Sequence, residues 1–228
     1  MTPSPQLPGM LLTGLAAAKW YQARLQQLYQ RQYGKDAVFP YWALQIDFEH
    51  INRILPHQME RAARLLAPYF EQMEATTKAP YILANMTLHE SLQYFPFQPQ
   101  NFYSIEKILA EELQDFKGCI GILGTAFTMQ HDYFPALLPN ASIFKTPQSL
   151  IKAVDELRQT YFYRHDVAQA KRLVQMLSQQ KVDKWLIACT ELSVAFDAVA
   201  GDSPLNMVDL PNLQLEKLIQ TRLASGSG

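Results

Sequence analysis

Short apolar runs alternate with stretches whose apolar residues recur at helical spacing along this whole chain, and that alternation leaves few folds open. The runs are "MLL" at 10–12, "YWALQI" at 41–46, "YILA" at 81–84, "CIGIL" at 119–123, "ASIF" at 141–144, "WLIA" at 185–188 and "LNMV" at 205–208. Each reads as a strand buried on both faces. Between them lie stripes of helical period: Met59, Ala62, Ala63 and Leu66; Ile105, Ile108, Leu109, Leu113 and Phe116; Leu150, Ile151, Val154 and Leu157; Ala170, Leu173, Val174 and Leu177; and Leu215, Leu218 and Ile219. Strand, helix, strand, helix predicts an α/β chain with a mainly parallel sheet and right-handed crossovers. Ligands in such sheets bind beyond the carboxyl ends of the strands, so the residues just after each run carry the most functional information.

With 228 residues, 48% of them hydrophobic and 18% charged, the chain can build one large core or two small ones. A formal charge of −1 gives no basic field for a phosphate backbone, and no Arg/Lys cluster with interleaved aromatics occurs, so nucleic acid is not an expected partner. No apolar run approaches the roughly 20 residues of a membrane span. The segment "MLLTGLAAA" (Met10 to Ala18) imitates a signal-peptide core, but no Lys or Arg precedes it and a helical pattern follows directly. It reads as a first strand and turn, with secretion the alternative. Cys119 and Cys189 are 70 residues apart with no C-x-x-C or His/Cys pattern, which indicates neither a zinc site nor a disulfide framework and fits a reducing cytoplasm. Proline-rich residues 1–9 and the "SGSG" end at 225–228 read as flexible tails.

Three run ends carry hydroxyl-rich segments: "ANMTLHE" (Ala84 to Glu90), "GTAFTM" (Gly124 to Met129) and "ACTEL" (Ala188 to Leu192). Their convergence on one cleft is expected. At these residues the chain resembles the aspartate/glutamate racemase superfamily, the pyridoxal-independent amino-acid racemases. "IGILGTAFTM" is similar to that family's "GLLGTxFTM", and "LIACTEL" to its second catalytic segment, "LGCTEL". "QIDFEHI" (Gln45 to Ile51) falls where the family has a strand leaving through "xDFxxI", and "MVDL" (Met207 to Leu210) where it has a last strand ending in aspartate.

The resemblance implies two similar lobes, each a mainly parallel sheet flanked by helices, with the site between them. The expected division is 10–100 plus 205–224 for lobe 1 and 101–204 for lobe 2. It also implies cofactor-independent chemistry in which one base on each side of the α-carbon, usually cysteine and sometimes threonine at the first position, removes and returns a proton. Cys189 matches the second base. A strand end at a helix N-terminus is also where a helix dipole lowers a thiol pKa, so thiolate is expected near neutral pH. The first base has no match. Aligning His89 with the histidine of the family's "(C/T)NTxH" puts Asn85 at the base and Met86 at the substrate-binding Asn; a one-residue shift puts Asn85 at the Asn and Ala84 at the base. Only Thr87 and His89 match in the first register. A carboxamide cannot exchange a proton at a useful pKa, and methionine cannot donate to a carboxylate. The first strand has a single Gly14 where the family has a double glycine, and Gln214 and its neighbours stand where a histidine follows the last aspartate.

The candidate catalytic residues are therefore Cys189 and, as a proton donor across from it, His89. Candidate substrate-binding residues are Asn85, Thr87, Thr125, Thr128 and Thr190. For the threonines the competing role is helix capping, for Asn85 and Thr87 loop capping, and for His89 a hydrogen-bonded structural position. Cys119 reads as core, Asp47 as a turn or cap, and Glu191 as a first-turn acid of its helix. His131 with Asp132 and His165 with Asp166 are two separated pairs, and no metal or cofactor is expected. The expected partner is a small carboxylate or amino acid, with a homodimer left open. The expected activity is proton transfer beside a carboxylate using one thiol, as racemase, isomerase or a decarboxylase-like lyase. The superfamily's arylmalonate decarboxylases likewise keep only the second cysteine. The alternative is a catalytically lapsed racemase fold acting as a small-molecule binding or regulatory module.

Overall fold

The computed structural model describes residues 6–199, 201 and 204–225, with the side chains of the last helix described to residue 220. The chain divides into two units, Met1–Ile105 with Asn212–Gly228, and Glu106–Pro211. Every strand pairing among the described residues is parallel, as a chain of crossovers requires.

In the first unit β1 (Gly9–Leu12) lies between β2 (Trp42–Gln45) and β3 (Tyr81–Ala84), with Gly9 opposite both Trp42 and Tyr81. Side chains on a strand point alternately to its two faces. Met10, Leu12, Ile82 and Ala84 pack with Ala18, Tyr21 and Leu25 of α1 (Leu15–Tyr33) and with Leu215, Leu218 and Ile219 of the last helix, Leu210–Ser225. Leu11, Tyr81 and Leu83 pack on the other face with Ala62, Leu66, Phe70 and Met73 of α3 (Met59–Thr76), which follows the short α2 (Phe48–Asn52). Each such buried aliphatic side chain contributes about 1.5–3 kcal/mol by leaving water. Between β1 and α1 the chain turns at Gly14, whose φ of +56° a side chain would strain.

The second unit holds four strands in the order β5-β4-β6-β7: β4 (Cys119–Leu123), β5 (Ser142–Ile143), β6 (Lys184–Ile187) and β7 (Met207–Asp209). Helices α4 (Ile105–Leu113), α5 (Ala126–Gln130), α6 (Tyr133–Ala136), α7 (Gln148–Arg164), α8 (Val167–Ser178) and α9 (Thr190–Asp197) accompany them, and α10 (Leu210–Ser225) follows β7. The stripes of α7 and α8 meet Leu123, Trp185, Ile187 and α9 in one core cluster. Gly121 makes room for it: a Cβ there would sit 2.2 Å from the Trp185 ring.

Several expectations need correction. The strand from the run at 41–46 is an edge strand with one sheet neighbour, and Trp42 on it is 48% exposed, so it is not buried on both faces. The run at 205–208 yields β7, which pairs with β6 and so belongs to the second unit, because its hydrogen-bond partners are there. The first boundary falls after Ile105 and not after residue 100. Residues 6–9 are tied down: Thr77 donates to the Leu7 carbonyl, Gln6 accepts from the Lys78 amide, and Gly9 opens β1. Residues 1–5 and 226–228 of the expected tails lie outside the described residues.

Candidate functional site

The site grows from two adjacent strand ends of the second unit. Leu123 of β4 faces Ile187 of β6, and the Ala188 N–H donates to the Leu123 carbonyl at 2.7 Å, which carries the alignment one step past both strands. Gly124–Thr125 and Ala188–Cys189 thus leave the sheet side by side. Gly124 permits the approach, since a Cβ there would lie 3.0 Å from Thr128 and 3.2 Å from the Ala188 carbonyl oxygen. Thr125 caps α5: its Oγ1 accepts from the Thr128 N–H at 3.0 Å and pairs with Thr128 Oγ1 at 2.8 Å. Thr128 is buried and Thr125 half-buried.

Cys189 occupies the N-cap position of α9 and is only 6% exposed. Its thiol donates to Glu191 Oε2 at 2.8 Å. Thr190 beside it is buried, and its hydroxyl has no hydrogen-bond partner among the described residues. Ser193 donates to Asp209 Oδ1 at 2.9 Å, pinning α9 to the end of β7. From α7, Arg158 bonds Asp155 Oδ1 through Nε at 3.0 Å and Nη2 at 2.8 Å, and it acts electrostatically on Cys189 and Glu191.

The expected thiolate is not what this environment favours. Burial first, then the charge and hydrogen bond of Glu191, push the Cys189 thiol well above its ordinary value, against the opposing pull of Arg158. Magnitudes explain the outcome. A helix N-terminus supplies about half a charge, worth roughly 0.3–1 kcal/mol at an exposed site, whereas full burial shifts an ionisable group by up to about 3–5 units.

The other candidate segment lies in the first unit. Asn85 caps the turn after β3: its Oδ1 accepts from the Leu88 N–H at 3.0 Å and its Nδ2 donates to Thr13 Oγ1 at 3.2 Å, while Thr13 donates to the Ala84 carbonyl. Met86 is buried. Thr87, half-buried at the start of the 3₁₀ segment Thr87–Tyr94, has no hydrogen-bond partner among the described residues. His89 is fully buried and stacked on Phe102. Its Nδ1 accepts from the Ile105 N–H at 3.4 Å, which leaves the ring proton on Nε2 for the Leu83 carbonyl at 3.3 Å, the same carbonyl to which Gln214 Nε2 donates. These contacts enclose the ring on the side of Phe102, Leu83 and Ile105.

Cys119 is half-buried at the first position of β4, not inside the core, and its amide donates to Asp183. Asp47 precedes α2 without a side-chain capping bond. His165 ends α7 in the left-handed region and Asp166 caps α8, while His131 stacks on Phe127. No cluster of metal-ligating residues occurs among the described residues. Sequence reasoning missed Arg158 and the pairing of Glu191 with the thiol. A helix-interior arginine four residues after the apolar position Val154 looked like ordinary solvated surface, and nothing in the pattern aimed it at a strand end.

No protein-family model matches the chain, and no curated protein matches it. Solved structures do. An aspartate racemase homologue from Pyrococcus horikoshii has 16% identity and a TM-score of 0.76 over 96% of this chain and 99% of its own. The aspartate racemase of Picrophilus torridus has 17% identity and a TM-score of 0.67 over 95% and 93%. A glutamate racemase of Bacillus anthracis has 14% identity and a TM-score of 0.61 over 97% and 83%. With its two parallel sheets flanked by helices, the chain has the fold of the aspartate and glutamate racemases.

Proposed function

We propose that the chain is an enzyme of the aspartate/glutamate racemase type that needs no cofactor and transfers a proton at the carbon beside a carboxylate of a small amino acid or related acid. The carrying observation is the Cys189 thiol, held protonated on Glu191 just past the end of β6, where the chain leaves the sheet alongside Gly124 and Thr125. A thiol kept neutral is matched to giving a proton, not to taking one. A single donor works one face of a carbanion. These points favour a substrate that generates its own carbanion, such as a 2-substituted malonate losing carbon dioxide, over ordinary racemisation. In the protonation step the carbanion's electron pair forms the new C–H bond, the S–H bond breaks, and its pair stays on sulfur until water restores the proton.

A second reading, a lapsed fold that binds a small carboxylate without turning it over, draws support from the first segment. There Asn85 is engaged as a cap and Met86 is buried. Incubation with 2-methyl-2-phenylmalonate and with each enantiomer of aspartate and glutamate in deuterium oxide, followed by NMR and chiral chromatography, separates the readings. One enantiomer of a monoacid deuterated at the α-carbon, with the amino acids keeping their configuration, is the expected result. Racemisation at about 1 per second or faster would mean that a second base exists, and carboxylate binding with no deuterium uptake would favour the binding module.

A further inference from the structure

Ionising Cys189 is costly first because the thiol is buried, and the charges around it add a second reason. The charged groups that act on the sulfur come from two elements, Glu191 on α9 and Arg158 on α7. Arg158 is itself shared with Asp155, one turn earlier, and both side chains of that pair are 22% exposed. The remaining neighbours in the core cluster are apolar, among them Leu173 and Leu177 of α8 and Ile187 of β6, while Asp209 of β7 is bonded through Ser193. Two carboxylates against one guanidinium leave an excess negative charge before the thiol loses anything. Once it does, the sulfur's charge adds to that of Glu191 only 2.8 Å away.

We infer that Arg158 is the positioning residue of the Cys189–Glu191 pair: anchored by Asp155, it is the cation that meets the charge left on sulfur when the S–H bond gives up its proton. Asp155 then sets how much of that cation is available to the thiol. The assignment has geometric support. α7 packs directly on α9, and Val154, Leu157 and Tyr161 share one buried cluster with Cys189 and Leu192, so Arg158, next to Leu157, is carried by the helix that covers the thiol's surroundings. Two bonds from Arg158 to the same carboxylate oxygen fix the guanidinium in place. The role rests on the proposed proton donation by Cys189, but its test needs no substrate and so fails or succeeds separately.

The test is titration of the Cys189 thiolate by its ultraviolet absorbance, taken as the difference between proteins with and without Cys189→Ser in a Cys119→Ala background. Arg158→Gln is expected to raise the midpoint and Asp155→Asn to lower it, each by about one pH unit. Glu191→Gln is expected to lower it as well, and Arg158→Lys to restore most of the wild-type midpoint. A merely structural role predicts a different sign. Loosening α7 would hydrate the thiol and lower the midpoint in Arg158→Gln, because burial is the largest cause of the upward shift. A midpoint in Arg158→Gln that is unchanged or lowered, in protein whose circular dichroism shows it folded, would overturn the assignment. Should Arg158→Gln fail to fold, Asp155→Asn decides: an unmoved or raised midpoint there would refute the coupling.

Discussion

Cys189 shows how one side chain can carry both a chemical and a structural signature. Its thiol is protonated in the folded protein because burial and Glu191 oppose ionisation, whereas in the unfolded chain both influences disappear. The folded pKa is therefore the higher one. The stability this contributes is fully present below the unfolded thiol's value of about 8.5 and is lost as pH rises through the folded value. The difference in stability between wild type and Cys189→Ser should accordingly be constant up to about pH 8.5 and move against the wild type above it. Urea unfolding across that range checks this, and the half-buried Tyr41 and buried Tyr81 and Tyr161, also shifted upward, cancel because both proteins contain them. A difference that stayed flat to high pH would contradict the buried, acid-paired thiol. If proton donation is the function, the same substitution should cut turnover by roughly 10²–10⁴-fold. The strand end and helix start around Cys189 were legible in "CTEL"; the protonation state was not, because it depends on burial and on the Glu191 carboxylate lying against the thiol.

At the scale of elements, the last helix is fastened to its own unit by a buried polar chain that no local pattern announces. Gln214 of α10 accepts from the Tyr21 hydroxyl of α1 at 2.9 Å and donates to the Leu83 carbonyl at the end of β3 at 3.2 Å, beside His89. A buried polar group stabilises little beyond what it displaces from water, but its removal strands its partners. Gln214→Leu should therefore destabilise the protein by about 1–3 kcal/mol, mostly by removing the Gln214 acceptor of the Tyr21 hydroxyl, since the Leu83 carbonyl keeps the Asn85 N–H as a donor. A loss under about 0.5 kcal/mol in urea unfolding would show that the chain of bonds does not bear on stability. The stripes of α3, α7 and α8 were readable from spacing because each of those helices buries one face. The polar contacts of α10 were not, since a glutamine in a helix reads as solvated until its neighbours are known.

For the whole molecule, the two sheets differ in how they are finished. β4 has neighbours on both sides, as do β6 and β1, while β2 forms one edge of its sheet with Trp42 exposed. Local opening follows burial and pairing. Amide hydrogen exchange should thus be slowest around Leu11, Ile122 and Leu186 and measurably faster at Ala43 and Leu44; equal protection in β2 and β1 would refute the edge assignment. All seven apolar runs became strands, and their parallel pairing followed from crossovers that only helices of the observed length can make. That much the sequence determined, because a two-residue or 3.6-residue period and the length of a connection are properties of the chain itself. Which sheet β7 joins, that β2 lies at an edge, that His89 is enclosed and Asn85 engaged in a cap, and that Glu191 bonds the thiol were settled only in three dimensions. Each depends on which surfaces are left unpaired once the others have packed, and hydrogen-bond partners more than 70 residues away leave no periodic mark on either segment.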